Sequence, residues 1–192
     1  MSKARPPTGS RRNPRVSEAI LDAAREILTE RGAAGFSMEA VAQRAGAGKP
    51  TIYRWWPTRA DLLMDVYERE KLVSVVPAQS DDPNDDLLRY TVNLWQFWST
   101  HTAGQAFRGL IAEAQSSPAA MTALRDRFLP PRLSTIREML GRILSQASAE
   151  EIDLRARLWL GFSWQALLQD QILMEEVDIG RAIAIITCPS GA

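Results

Sequence analysis

The sequence holds one cysteine, Cys188, and one histidine, His101, among 192 residues. A single thiol excludes an internal disulfide and a cysteine-based zinc site, and it suits a reducing compartment. Cys188 reads as a small apolar residue near the C-terminus. There is no glycine-rich phosphate loop and no metal-ligand spacing, so no cofactor, metal or catalytic residue is expected, and an enzyme fits poorly. No apolar run reaches the roughly 18 residues that a membrane span needs. The opening MSKARPPTGSRRNPR lacks the apolar stretch of a secretory signal. The expected location is the cytoplasm, with no membrane partner. No alternating strand pattern and no internal repeat occur, and the periodicity is helical throughout, which predicts an all-α class.

Net charge is also missing: 23 Lys/Arg balance 23 Asp/Glu, which taken alone argues against nucleic acid. The balance is uneven along the chain. Residues 1–60 hold eleven Lys/Arg and five Asp/Glu, a net of +6, so residues 61–192 carry −6. An electrostatic footprint for phosphate is therefore present locally. With 45% hydrophobic residues, the chain is long enough for one or two domains with a real core.

Residues 1–14, with Pro6, Pro7, Gly9 and Pro14, suit no regular element and are expected to form a disordered basic tail. Val16, Ile20, Ala23, Ala24, Ile27 and Leu28 mark a first amphipathic helix that ends near Gly32. From Gly35 to Leu63, GFSMEAVAQRAGAGKPTIYRWWPTRADLL reads as two short helices around a glycine turn. Met38, Val41, Ala42 and Ala45 recur at the spacing of one buried stripe, with Ser37 before them as N-cap. Gly46 and Gly48 can take positive φ in the turn. Pro50 suits the first turn of the next helix, and Pro57 ends it. At about 100° per residue, Ile52 and Trp56 share one face while Pro50, Thr51 and Arg54 point away, with Tyr53 and Trp55 on the flanks. One face buries itself and the other can meet a ligand surface, which is the geometry of a helix-turn-helix entering DNA.

A fourth helix is expected over about 58–75, with Leu62, Leu63, Val66 and Tyr67 as its apolar side, until Pro77 and DDPNDD interrupt it. That interruption separates a domain at 15–77 from one at 78–192. Downstream, the pattern predicts helices near 84–101, 103–115, 118–126, 131–147, 150–171 and 176–187, with joints at Gly104, Pro118 and Pro130-Pro131. Asp81, Asp82, Asp85 and Asp86 read as a solvated linker rather than a cation site.

With helix, turn, helix, Tyr53 and a fourth helix opened by Arg59 in place, the first 75 residues resemble the DNA-binding domain of TetR/AcrR-family transcriptional regulators. The 29-residue stretch quoted above is similar to the family's recurring Gly, capping Ser or Thr, Ala-x-x-Ala-Gly, Lys-x-Thr-hydrophobic-Tyr and Pro-x-basic. The remainder, through AEAQSSP, RFLPPR and WLGFSW, resembles less specifically the helical ligand-binding and dimerisation domain of one branch of that family.

The resemblance implies that the hydroxyl of Tyr53 reaches a DNA phosphate and that Lys49 and Arg59, each at a helix start, bind phosphates as well. Ser37 is expected to cap its helix and touch phosphate, and Arg44 is a weaker backbone candidate. Thr51 and Arg54, beside the exposed Pro50, point to base edges, although Arg54 can equally hold phosphate. Trp55 departs from the histidine or arginine often found there; its indole suits a thymine methyl or a sugar. Trp56 is expected in the core. Arg5, Arg11, Arg12 and Arg15 suit a minor-groove arm or an inert terminus.

In the second domain, Trp95, Trp98, His101 and Phe107 suit either a pocket for a flat or apolar molecule or ordinary helical core. The apolar surface of residues 150–187, including Leu158, Phe162, Leu167, Ile179 and Ile183, exceeds what helices packed on one side need. By resemblance it builds a four-helix homodimer interface. The reading is a regulator that, as a homodimer, represses by binding a pseudo-palindromic double-stranded operator and is released by a small-molecule effector. An activator or a ligand-independent regulator of the same fold is the alternative.

Overall fold

The computed structural model describes residues 13–169, 171–172 and 176–189. Among these the chain is all-α, with ten α-helices, one π-helical turn and no strand. Arg5, Arg11, Arg12 and Leu173, singled out from the sequence, lie outside the described residues.

Three helices form the N-terminal head: α1 (Pro14–Arg31), α2 (Met38–Arg44) and α3 (Lys49–Trp55). The first begins at Pro14, inside the segment expected to be tail, because the Asn13 side chain caps it by accepting from Arg15 N–H at 3.1 Å. Its stripe of Ile20, Ala23, Ala24, Ile27 and Leu28 is buried together with Met38, Val41, Ala42 and Ile52. Between α2 and α3, Gly46 takes φ +61°, a left-handed conformation that a side chain resists. Gly48 does not share that role: it sits at φ −67° as the N-cap of α3, so one positive-φ glycine is enough to make the turn.

The fourth helix, α4 (Arg59–Ser74), is the central strut. Thr58 and Asp61 form a reciprocal capping box at its start. It packs against α1 on the head side and against α5 (Pro83–Thr100), α6 (Thr102–Ser116) and α7 (Pro118–Ala123) on the other. Tyr67, fully buried, packs its ring against Phe97, Phe107 and Phe128, and its hydroxyl accepts from Trp98 Nε1–H at 2.9 Å. Head and C-terminal helices thus share one continuous apolar core.

The joint between α5 and α6 falls at His101, not at Gly104. The His101 ring stacks on Phe97, and its Nδ1 accepts from Ala103 N–H at 3.3 Å, capping α6. Gly104 lies one turn inside α6, where a Cβ would overlap the Phe97 carbonyl oxygen. Its small size permits the close approach of the two helices. Pro130-Pro131 likewise makes no break. After α7 the chain widens into the π turn Leu124–Phe128, where Leu129 N–H reaches back to Leu124, and both prolines sit in the first turn of α8 (Leu129–Ile143). Proline has no N–H to donate there, and the wider turn accommodates its ring against the preceding carbonyls.

The layer is completed by α9 (Ala149–Leu168) and α10 (Glu176–Thr187), packed on α5 and α8. The acidic run is only partly a solvated linker. Asp82 caps α5, and Asp86 is buried, accepting from Ser80 N–H at 2.9 Å and from Arg142 at 2.8 Å. Burial pushes this carboxyl upward, but the bonds from Ser80 and the Arg142 guanidinium outweigh it and hold it below the usual carboxylate range.

Candidate nucleic-acid interface and effector cavity

Ile52 and Trp56 anchor α3: both are buried, and Trp56 Nε1–H donates to Asp65 of α4 at 2.7 Å. That inward face fixes the outward one, on which Lys49, Pro50, Tyr53 and Arg54 are exposed and Thr51 is half-buried. Ser37 is half-buried at the start of α2, its hydroxyl accepting from Ala40 N–H at 3.2 Å.

Tyr53 and Lys49 converge on one anionic point. The Tyr53 hydroxyl donates to Glu39 Oε1 at 3.0 Å, and Lys49 Nζ lies 3.8 Å from the same oxygen. The backbone N–H at the start of α2, then the Tyr53 hydroxyl and Lys49, hold the Glu39 carboxyl below its ordinary value, and the same bond pushes the Tyr53 phenol up. One carboxylate oxygen thus holds both groups at a single point.

Arg44 and Arg59 are used differently from the expectation. Arg44 makes a two-pronged bond to Glu30 of α1, both distances 2.7 Å, and draws the Glu30 carboxyl down. Its fork is committed to holding α2 on α1. Arg59 donates to the carbonyls of Phe36 and Ala33 and to Glu113 of α6 at 3.1 Å, with its guanidinium over the Phe36 ring. It clips the α1–α2 loop, the start of α4 and the C-terminal helices together. Trp55 is half-buried; it packs edge-on to Trp56, carries the Arg54 guanidinium 5.7 Å from its ring centre, and lines a cleft away from the open face of α3.

Two spaces lie between the head and the C-terminal helices. An outer cleft of about 430 Å³ is lined by Trp55, Trp56, Asp65, Glu68, Phe128 and Arg132 among others. Behind it, Phe128 and Arg132 also wall a tight inner cavity whose lining includes Trp98 and Phe107. Trp95 and His101 do not line it: Trp95 packs on Phe162, and His101 faces Glu70 at 3.6 Å. Sequence reasoning missed Lys71, Tyr90 and Arg132, which do. Leu63, Tyr67 and Lys71 recur every four residues along α4, so a lysine on a core stripe was the available signal; Arg132 after Pro130-Pro131 had none.

The apolar residues of the last two helices divide between faces. Leu167, Ile179 and Ile183 are buried in the protomer's own core and Phe162 is half-buried, so of the five expected at an interface Leu158 is the one well exposed, at 54%. Leu154, Leu168, Val177 and Ile185 are exposed beside it on the same two helices. The inward stripe of α9 includes Ala156, Ser163 and Ala166, small residues, beside the large Trp159.

Comparison with known proteins agrees with this architecture. Residues 20–66 match the model of bacterial regulatory proteins of the tetR family, and residues 77–185 match the tetracyclin repressor-like C-terminal domain. An uncharacterized HTH-type transcriptional regulator YdeS of Bacillus subtilis is 27% identical over 143 residues, covering 74% of this chain and 72% of that one. The uncharacterized HTH-type regulator Rv1556 of Mycobacterium tuberculosis is 27% identical over 155 residues, covering 81% and 75%. The crystal structure of the TetR family regulator SCO0332 superposes with a TM-score of 0.77 at 25% identity, over 91% of this chain and 99% of that one. The fold is also that of BioQ bound to its double-stranded DNA operator, with a TM-score of 0.64 at 14% identity, over 90% and 98%. The chain belongs to the TetR family and is a DNA-binding transcriptional regulator.

Proposed function

We propose that the chain is a homodimeric repressor whose head, about residues 15–77, binds a pseudo-palindromic operator and lets go when a small molecule enters the body, residues 78–192. Helix α3 lies in the major groove, with Thr51 and Arg54 toward base edges, Pro50 against the groove wall, and Lys49, Tyr53 and Ser37 toward phosphates. Phosphate replaces Glu39 at the point where Lys49 and Tyr53 meet. Arg44 and Arg59 act by positioning α2 and α4. Leu154, Leu158, Leu168, Val177 and Ile185 face the second copy across a two-fold axis.

The observation that carries the release step is the burial of α4 from both sides, with its first turn clipped by Arg59 to the α1–α2 loop and to Glu113. A ligand that favours a different packing of α5 to α8 shifts α4 and, through Pro57-Thr58, the recognition helix, so the two copies lose their spacing on DNA. Gel-shift and footprinting on the segment upstream of the protein's own gene, together with a reporter, test the reading. Repression predicts a protected two-fold site and falling transcription as the protein is supplied; rising transcription would make it an activator. Leu158→Glu predicts a monomer in sedimentation, and an unchanged dimer would place the interface elsewhere.

A further inference from the structure

The inner cavity has a charge pattern that ordinary core packing does not need. Lys71 is 6% exposed and lines it, yet its ammonium has no hydrogen-bond or ion-pair partner among the described residues. It lies 5.7 Å from the centre of the Tyr90 ring, and the Tyr90 hydroxyl also makes no hydrogen bond among the described residues. Arg132 stands opposite, its guanidinium 3.2 Å from the centre of the Phe128 ring and paired with Glu68, but its Nε is buried without a partner. Glu68 and Asp65 both attract Arg132, whereas at Lys71 only Glu68 attracts and Arg132 repels. Burial of an unmatched cation is costly, and burial pulls the Lys71 ammonium below the usual lysine range, with Glu68 opposing and Arg132 reinforcing that direction.

The remaining walls are flat: Trp98, Trp159 and Trp164 surround the same space with Phe107. Trp98 and Trp159 have used their N–H groups on Tyr67 and Thr91, at 2.9 Å each, so they present ring faces rather than donors. The gap is about 20 Å³, room for one water molecule, and a ligand must displace a wall to enter. Phe128 and Arg132, which separate the gap from the 430 Å³ outer cleft, flank the junction of the π turn and α8, an irregular segment suited to such a shift.

We propose that the effector is an aromatic organic acid, whose carboxylate is taken by Lys71, Arg132 and the Tyr90 hydroxyl and whose ring slides between Trp98 and Trp164. The acid supplies the partner that Lys71 lacks and reaches the site from the outer cleft by parting Phe128 and Arg132. This assignment of a ligand class rests on the effector-release reading above.

Tryptophan fluorescence and calorimetry on the full-length protein test it, with benzoate and naphthoate against benzamide, naphthamide, benzylamine and octanoate. The acids are expected to bind at least about tenfold more tightly than the amides and the amine, and naphthoate more tightly than octanoate. Lys71→Met is expected to abolish that preference while melting no lower than the parent, because it removes an unpaired buried charge. Tyr90→Phe, the milder change, should weaken the acids alone, and it carries the comparison if Lys71→Met fails to fold. Equal affinity for acid and amide, no binding of either aromatic acid, or an acid affinity untouched by these substitutions would overturn the assignment; binding of octanoate as tight as naphthoate would overturn its aromatic half. Operator release is read separately. Acid that binds through Lys71 without freeing DNA leaves the ligand class standing and removes the release reading, whereas release by the amine with no dependence on Lys71 does the reverse.

Discussion

The exposed face of the head and the core where α4 and α5 pack handle charge in opposite ways. In the head, polar groups proposed to meet DNA sit on exposed faces of short helices and share an exchangeable partner: Tyr53 and Lys49 with Glu39. Such surface pairs are weak and yield readily to a stronger polyanion. In the core where α4 and α5 pack, a few charges are buried. Asp86 is matched by Ser80 and Arg142, whereas Lys71 makes no hydrogen bond or ion pair among the described residues. On the proposed reading, a surface that meets a polymer of phosphates needs donors that can change partners, and a cavity for one small molecule can hold a charge that waits for it.

That contrast can be broken by substitution. The largest effect is expected at the core that orients the head: Trp56→Ala removes a buried indole bonded to Asp65 and should cost about 3–5 kcal/mol in denaturant unfolding. Gly104→Val should follow at about 1–3 kcal/mol, because α5 and α6 must separate around the Phe97 carbonyl; a neutral result would mean the two helices are not held at that spacing. Asp86→Asn tests the matched charge. Its folded-state pKa is depressed, so its stabilisation is present above the unfolded value, near 3.9, and disappears as pH falls through the lower folded value. The variant should therefore be less stable at neutral pH and lose less on acidification, as read from melting curves across that window. Smallest is Glu39→Gln, which frees Tyr53 and Lys49 of a competing carboxylate and should tighten operator binding a few-fold; weaker binding would mean that Glu39 serves DNA instead of competing with it.

The same contrast explains what was legible in the sequence. The starts of α2 and α4 were, because caps and periodicity are local: Ser37, Thr58 and the Met38-Val41-Ala42 stripe mark their helices without help from distant residues. So was the outward set on α3, since one buried pair, Ile52 and Trp56, fixes the angle of all the rest. Arg44 and Arg59 were harder. A basic residue near a basic helix looks like a phosphate ligand until the fold brings Glu30 or the Phe36 carbonyl beside it. In the body, α9 and α10 are apolar on more than one face, and which face turns inward depends on long-range packing. Leu167, Ile179 and Ile183 went inside while Leu154, Leu168, Val177 and Ile185 stayed out. The buried Lys71 and Arg132 belong to the same class, being brought together only by the packing of α4 and α8 around one cavity.

The most direct test of the account is a salt titration of operator binding by the parent protein and by Lys49→Ala, using the segment upstream of its own gene. Each phosphate contact contributes about −0.9 to the slope of log K against log salt, so losing Lys49 from both copies of a dimer should make the slope shallower by about 1.8 and lower the affinity across all salt concentrations. An unchanged slope and affinity would contradict the assignment of α3 as the helix that meets DNA.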